Sequence, residues 1–373
     1  LRVASDVYPE VTGGVGLHVH YLSKYQAEED HNVTILTSDH GGERTRQSRA
    51  QTNYTIIRHQ EYMNPLGNSF TPSILCSIFE LQDGFDILHI HSHLFFSSNM
   101  AATLGRFLDL PVVITNHGLF TQQDTPAYID RLHLKTLGKL TFNSADRIHC
   151  YTENAKEQCT RYGITPEKQV IRNGIDHTRF TPDGEKYNKI DNNGMVILAV
   201  LRLVEGKRPK DAIDIIDALQ EEHPDVTLYL CGDGPLRDTL EEYVHMNDLN
   251  EHVTFLGQIE YERMPQLYRT CDIVLLPSET EGCPRVILEA LATEKPFVMS
   301  NLETNAKELT EVGMTAEIGN IAEFSEKLSM LISNPSQRDT IGERGRELIE
   351  EEFNWQKTAT KTTQSLVELV ERN

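Results

Sequence analysis

Arg202 and Lys207 stand with four residues between them in Arg202-Leu-Val-Glu-Gly-Lys207. Two cations at this spacing, set at a strand end, can converge on one diphosphate. Arginine supplies a planar fork and lysine a point charge. The alternative is a pair of solvated surface cations. Further on runs Pro277-Ser278-Glu279-Thr280-Glu281-Gly282-Cys283-Pro284-Arg285-Val286-Ile287-Leu288-Glu289, with seven residues between Glu281 and Glu289. The pattern predicts a strand-end loop carrying Glu281 and a helix carrying Glu289, with Pro284 in its first turn. Such a helix start exposes unpaired backbone N–H groups, a ready anion site. A carboxylate on either side can hold neutral sugar hydroxyls while the N–H groups hold phosphate. Glu289 lies inside the apolar run Val286-Ile287-Leu288 and Ala290-Leu291-Ala292. That run implies a buried helix, where a glutamate needs a partner, so an ordinary surface acid is the weaker reading.

Two other groups of residues call for chemistry. Gly13-Gly14-Val15-Gly16 resembles a phosphate loop, but Val19 occupies the third glycine position of GxGxxG, which disfavours a nicotinamide dehydrogenase. The glycines still let backbone N–H groups approach an anion. His89, His91 and His93 alternate along a strand and its end, and His117 follows another strand. No Cys, Asp or Glu completes a metal ligand set at convincing spacing. The expectation is therefore no metal, with one or two imidazoles lining a cleft and the rest held by hydrogen bonds.

These residues need strands to end where they sit. In the first half, strands are expected at 1–5, 32–37, 86–91 and 111–115, with a helix over 17–26 after the glycine loop. In the second half they are expected at 195–203, 226–231, 253–256, 272–276 and 296–300. Helices are expected between them at 210–222, 236–246, 264–270 and 284–293, then at 322–333 and 336–351. Short β-branched strands alternating with helices are the rhythm of a parallel sheet wrapped on both faces. A polar stretch at 181–193 marks the junction. The architecture expected is two doubly wound α/β domains facing each other across a cleft, with ligands at the carboxyl ends of the strands.

Composition agrees and excludes other classes. The chain has 373 residues, 39% hydrophobic and 24% charged, with a mean hydropathy of −0.41. Two packed domains follow, and a mostly disordered chain does not. No run of about 20 apolar residues could span a membrane. The first residues lack the basic start and apolar run of a secretory signal. Six scattered Cys without a CxxC pair point to free thiols in a reducing cytoplasm. Net charge is −21, split as −3 over residues 1–180 and −18 over 181–373, and 12 of the 15 His lie in the first half. Such a surface excludes a general nucleic-acid binder. Arg131-Leu-His-Leu-Lys135-Thr-Leu-Gly-Lys139-Leu140 could form a basic amphipathic helix meeting an anionic lipid surface. A solvated helix covering the first domain is the plainer alternative.

Taken together the motifs resemble those of the retaining glycosyltransferases of family 4, which have the GT-B fold of two Rossmann-like domains. The resemblance runs nearly end to end. Its marks are Gly13–Gly16, His117, Asn173-Gly174-Ile175-Asp176 with Arg179-Phe180, Arg202 with Lys207, Gly232-Asp233-Gly234-Pro235, Glu281 with Glu289, and Phe353-Asn354-Trp355. It implies an N-terminal acceptor-side domain over 1–181, a nucleotide-sugar domain over 182–355, and a last helix over 356–373 returning to the first domain. It implies that Arg202 and Lys207 bind the donor diphosphate and that Glu289 holds the ribose hydroxyls. Glu281 would hold the transferred sugar, with Gly282, Cys283, Pro284 and Arg285 around it. Gly257 and Ile259 would border the base, Gly14 and Gly16 would approach the diphosphate, and His117 would stand by the sugar near the reacting carbon. The implied activity is transfer of a hexose from a UDP- or GDP-sugar, without metal or other cofactor, to a glycan or lipid-linked acceptor. A cytoplasmic enzyme is expected, with room for peripheral contact with the inner face of a membrane through the N-terminal domain. Family members commonly carry Phe-Gly where Cys283-Pro284 stand, and paired glycines where Asn301-Leu-Glu-Thr-Asn305 stand. Both departures fall near the expected sugar. A nucleotide-sugar epimerase on the same fold and a catalytically silent nucleotide-binding subunit are the competing readings.

Overall fold

The computed structural model describes residues 1–9, 13–41, 53–65, 68–120, 127–190, 194–281 and 283–372. The chain divides into two compact units. One holds Leu1–Thr121, Thr125–Gly174 and Trp355–Asn373, and the other holds Ile175–Asn354.

The N-terminal unit is built on a seven-stranded parallel sheet. Its strands are β1 (Arg2–Val3), β2 (Thr34–Ser38), β3 (Thr55–His59), β4 (Leu88–His91), β5 (Val112–Thr115), β6 (Arg147–Cys150) and β7 (Glu167–Val170). They lie in the order β3-β2-β1-β4-β5-β6-β7. In β4 the two faces differ: Leu88 and Ile90 enter the apolar core with Ile114 and Ile148, whereas His89 and His91 turn to the opposite face. That second face is buried too, so its polar groups must pair. Arg2 bonds Ser23, Gln26 and His89 there. His89 meets Thr115 Oγ1 at 2.8 Å, and His149 meets Ser365 Oγ at 2.8 Å. The helix Trp355–Arg372 closes this face. Trp355 stacks on Tyr21 at 5.4 Å between ring centroids, and its ring covers Gly174, where a Cβ would come within 2.7 Å. The Asn173-Gly174 and Trp355 marks of the sequence are thus one packing contact.

The C-terminal unit has a six-stranded parallel sheet. Its strands are β8 (Met195–Val200), β9 (Val226–Cys231), β10 (Val253–Gly257), β11 (Ile273–Leu276), β12 (Phe297–Ser300) and β13 (Met314–Ala316). The order is β10-β9-β8-β11-β12-β13. Ile197, Leu198, Ile273 and Val274 are fully buried, as strands covered on both faces require. In both sheets the strand order reverses beside the first strand of the unit. That switch point opens a crevice at the carboxyl ends, where ligands of such sheets bind.

The glycine loop differs from the sequence expectation. The first helix runs Gly14–Glu28, so Gly14 and Gly16 lie in its first turn and only Gly13 stands outside, as its N-cap. Glycine's low helix propensity hides a helix start that packing enforces. Pro284 likewise caps the helix Arg285–Ala292 and stands one position before its first turn. Strands β3, β6, β7 and β13 add to those expected. No described helix is long and apolar enough to cross a membrane.

Candidate functional site

In the C-terminal unit, three strand-end loops are bolted together by backbone. Leu201 N–H donates to Cys231 O at 3.0 Å, Leu203 N–H to Asp233 O at 3.0 Å, and Gly232 N–H to Gly257 O at 2.9 Å. This approach explains Gly232-Asp233-Gly234. A Cβ on Gly232, whose φ is +139°, would run into the Leu201 carbonyl, and one on Gly234 into the Leu203 carbonyl. Leu201 and Leu203 are buried, so the extended backbone between them turns Arg202 outward, where it is exposed. Arg202 makes no ion pair among the described residues. Gly257 ends β10 at a bulge with φ +68°, and Gln258 and Ile259 follow it.

Lys207 closes the short turn Glu205–Lys207 and is buried. Its Nζ donates to Glu281 Oε1 at 2.7 Å and to Thr280 O at 3.1 Å. The loop holding Glu281 is fastened on two further sides. Glu279 N–H donates to Gly206 O at 3.1 Å, and Thr304 Oγ1 donates to Glu281 O at 2.7 Å. Lys207 and Glu281 thus meet across the switch point between β8 and β11. Gly282 lies outside the described residues. Cys283 is half-buried, and Arg285 and Val286 open the following helix.

Glu289 is 4% exposed. It accepts from Arg285 Nε at 3.1 Å and from the Tyr268 hydroxyl at 2.9 Å. Arg285 also donates to the Tyr261 hydroxyl at 2.8 Å. Burial pushes the Glu289 carboxyl above the usual carboxylate range, while Arg285 and Tyr268 pull it back. Burial, with the Glu289 charge beside it, drives the Tyr268 hydroxyl upward. Ser278 and Ser300, at the ends of β11 and β12, bury hydroxyls that have no hydrogen-bond partner among the described residues. Sequence reading missed Tyr261, Tyr268 and these serines. For Ser278 the only signal was a polar residue placed just after an apolar strand, and Tyr261 and Tyr268 lie in helical turns.

In the N-terminal unit, His117 follows β5 and His91 ends β4. His91 Nδ1 lies 3.1 Å from His117 Nε2, and the Tyr151 hydroxyl lies 2.8 Å from His117 Nδ1. The same hydroxyl lies 3.2 Å from His18 Nδ1, which is 2.9 Å from Asn173 Oδ1. Burial holds His91 and His117 well below the ordinary imidazole range, and neighbouring imidazoles add to it. One ligand atom from each of His18, His91 and His117 falls within 4.8 Å of the others. Three imidazoles are a donor set that could take a transition metal. Hydrogen bonds within the group already engage His18 Nδ1, His91 Nδ1 and both His117 nitrogens, so a metal would have to displace some of them. His93 packs apart from this group, with its ring 4.4 Å from Phe142.

Comparison with known proteins agrees with this architecture. The description "Glycosyltransferase Family 4" matches residues 12–179, and "Glycosyl transferases group 1" matches residues 182–348. An uncharacterized glycosyltransferase of Methanocaldococcus jannaschii is 27% identical over 94% of this chain and 93% of its own length. Glycogen synthase of Mycobacterium tuberculosis is 25% identical over 98% of this chain and 93% of its own. Among solved structures, sucrose-phosphate synthase from Thermosynechococcus elongatus superposes with a TM-score of 0.82 at 17% identity, covering 100% and 99% of the two chains. The Anabaena protein HepE, solved with UDP-glucose, gives 0.75 at 18% identity, covering 98% and 99%. The fold is therefore GT-B, two Rossmann-like parallel-sheet α/β domains. With a glycosyltransferase family matched on each half, the chain belongs to the glycosyltransferases of the group 1 and family 4 type.

Proposed function

We propose that the protein moves a hexose from a UDP- or GDP-sugar to a glycan or lipid-linked acceptor, with retention at the anomeric carbon and without metal. The observation that carries this reading is the pair of charged couples at the switch point of the C-terminal sheet. Lys207 with Glu281 and Arg285 with Glu289 flank the helix start after Pro284. Breaking a sugar–diphosphate bond leaves negative charge on the departing oxygen and positive character on the sugar carbon, as in glycoside hydrolysis. Lys207, Arg202 and the helix N–H groups take up the phosphate charge, a task for preorganised donors. Glu289 takes the ribose hydroxyls and Glu281 the hydroxyls of the transferred sugar. Gly257 and Ile259 border the base. His117, Gly14 and Gly16 are the N-terminal unit's contribution. Both site carboxylates are engaged by cations, which favours same-face attack over a covalent intermediate.

A thermal-shift screen of nucleoside diphosphates and their sugars tests the reading. A ligand at 100 times its dissociation constant stabilises by about 2.7 kcal/mol. One nucleotide series should stand out, with labelled sugar passing to an added acceptor. A new sugar epimer formed without acceptor would replace transfer with epimerisation, and a nucleotide response with neither transfer nor epimer would leave the silent nucleotide-binding subunit. The retained Arg202, Lys207, Glu281 and Glu289 weigh against the silent subunit.

One surface favours a lipid-linked acceptor. Along Ala127–Asn143, Tyr128, Leu132 and Leu140 are 71%, 62% and 59% exposed, beside the exposed cations Arg131 and Lys135. Apolar side chains among cations suit an anionic membrane surface. Sedimentation with anionic vesicles should capture the protein in a salt-sensitive way, and Leu132→Ser with Leu140→Ser should release it. Equal capture by neutral vesicles would contradict this.

A further inference from the structure

Five side chains of the N-terminal unit form an unbroken file: Asn173, His18, Tyr151, His117 and His91. Asn173, His18, Tyr151 and His91 are buried. Along the file each contact needs one donor and one acceptor, so the direction has to be set from one end. Asn173 supplies that end. Its Oδ1 accepts from Gly174 N–H at 3.0 Å, which identifies the atom as the oxygen and not the amide nitrogen. An amide oxygen only accepts, so His18 carries its proton on Nδ1 and donates it at 2.9 Å. His18 Nδ1 therefore has no lone pair for the Tyr151 hydroxyl, and that hydroxyl presents its oxygen to His18. The shorter contact, 2.8 Å to His117 Nδ1, is the one assigned to its proton. His117, accepting at Nδ1, keeps its own proton on Nε2 and donates it to His91 Nδ1 at 3.1 Å.

We propose that Asn173, His18 and Tyr151 are positioning residues that lock His117 as the neutral tautomer protonated on Nε2. The inference rests on the reading above that His117 borders the transferred sugar. The ring is gripped at both nitrogens, so it can neither flip nor change tautomer without breaking one of these hydrogen bonds. The depressed basicity of His91 and His117 accords with rings that stay uncharged. Trp355 supports the file from behind, with its ring 5.2 Å from that of His18. The file also gives Asn173 of the Asn173-Gly174 motif a task. Gly174 makes room for Trp355, and Asn173 sets the direction of the hydrogen bonds.

Nitrogen NMR of the full chain with 15N-labelled imidazoles reads the tautomer directly, with His117 assigned by the resonance lost in His117→Gln. Wild type should show His117 protonated at Nε2 and bare at Nδ1. Tyr151→Phe removes the donor to Nδ1 and should give mixed tautomers at His117 and His91 together. Asn173→Ala should do the same, while Asn173→Asp, which still accepts from His18, should keep the wild-type tautomer at His117. That second pair of variants decides the matter if Tyr151→Phe fails to fold. In the variants with mixed tautomers kcat should fall, by up to roughly 100-fold, as a misplaced ring near the reacting atoms would cause. His117 protonated at Nδ1 in wild type, a tautomer unchanged in both Tyr151→Phe and Asn173→Ala, or zinc held by these nitrogens would overturn the proposal. A shifted tautomer with unchanged kcat would keep the lock and count against the placing of His117 beside the sugar.

Discussion

At the carboxyl ends of β1, β4 and β5 the N-terminal unit gathers imidazole rings, bonded in a file through Tyr151 and Asn173. At the equivalent ends of β8 and β11 the C-terminal unit gathers formal charges, Lys207 with Glu281 and Arg285 with Glu289 as pairs and Arg202 exposed beside them. The same strand order thus carries two electrostatic designs. Neutral imidazoles can be buried without counterions, provided the solution does not force protons on them. Buried charges require partners, and removal of one member strands the other. A lysine already held beside a helix start can meet phosphate with little rearrangement, whereas the imidazole file offers shape and hydrogen bonds but no charge. The difference matches a division of labour between holding a diphosphate and orienting a sugar.

The comparison breaks most sharply at the cations. Arg202→Ala should cut turnover by roughly 10²- to 10³-fold with the melting temperature unchanged, because Arg202 is exposed and unpaired among the described residues. Lys207→Ala should cut turnover as far and also cost about 3–5 kcal/mol of stability, since it leaves Glu281 charged and half-buried alone. Steady-state assays at saturating donor, paired with thermal unfolding, separate the two. Near-wild-type turnover in either variant would remove that residue from the leaving-group role.

Acid should distinguish the units next. His89, His91, His93, His117 and His149 are all held below the ordinary imidazole value of 6.5 by burial, His93 and His149 at about 3. Each is neutral when folded and gains a proton more readily when unfolded. Their stabilising contribution is therefore complete above pH 6.5 and is lost as pH falls from 6.5 toward 3. The slope is at most about 1.4 kcal/mol per pH unit for each ring. Trp355, the sole tryptophan, packs on Tyr21 and beside His18, so its fluorescence reports on the N-terminal unit. Its unfolding midpoint in urea should fall steeply from pH 7 to pH 5. A flat profile would mean that the rings are not buried neutral.

The smallest expected effect is none at all. Activity should survive exhaustive chelation, because in the proposed function cations and helix N–H groups take up the phosphate charge. Loss with EDTA restored by Mg²⁺ or Mn²⁺ would contradict metal independence.

Much of the C-terminal sheet was legible because 228–231 and Ile273–Leu276 are unbroken apolar runs. The missed strands lack that signature. Glu167–Val170 is a polar edge strand, Met314–Ala316 is an edge of three residues, and Arg147–Cys150 buries an arginine and a histidine that only tertiary partners make tolerable. Glu289 announced itself by its apolar flanks. Its partner Tyr268, and the pairing of Lys207 with Glu281 across 74 residues, did not, since contact between distant side chains leaves no local pattern. The Gly232-Asp233-Gly234 motif could be seen in sequence, but its cause, the Leu201 and Leu203 carbonyls behind it, is a property of the fold.

Calorimetric titration of Glu289→Ala and Glu281→Ala with a nucleoside diphosphate and with its sugar tests the donor site most directly. Charge-assisted hydrogen bonds are worth about 1.5–3 kcal/mol. Glu289→Ala should therefore weaken the bare nucleotide by roughly tenfold or more. Glu281→Ala should leave the bare nucleotide bound as in wild type, or tighter once Lys207 is released, and should weaken only the nucleotide sugar. Equal losses for both ligands in both variants would show that the two carboxylates do not divide ribose from sugar, and the assignment would fall.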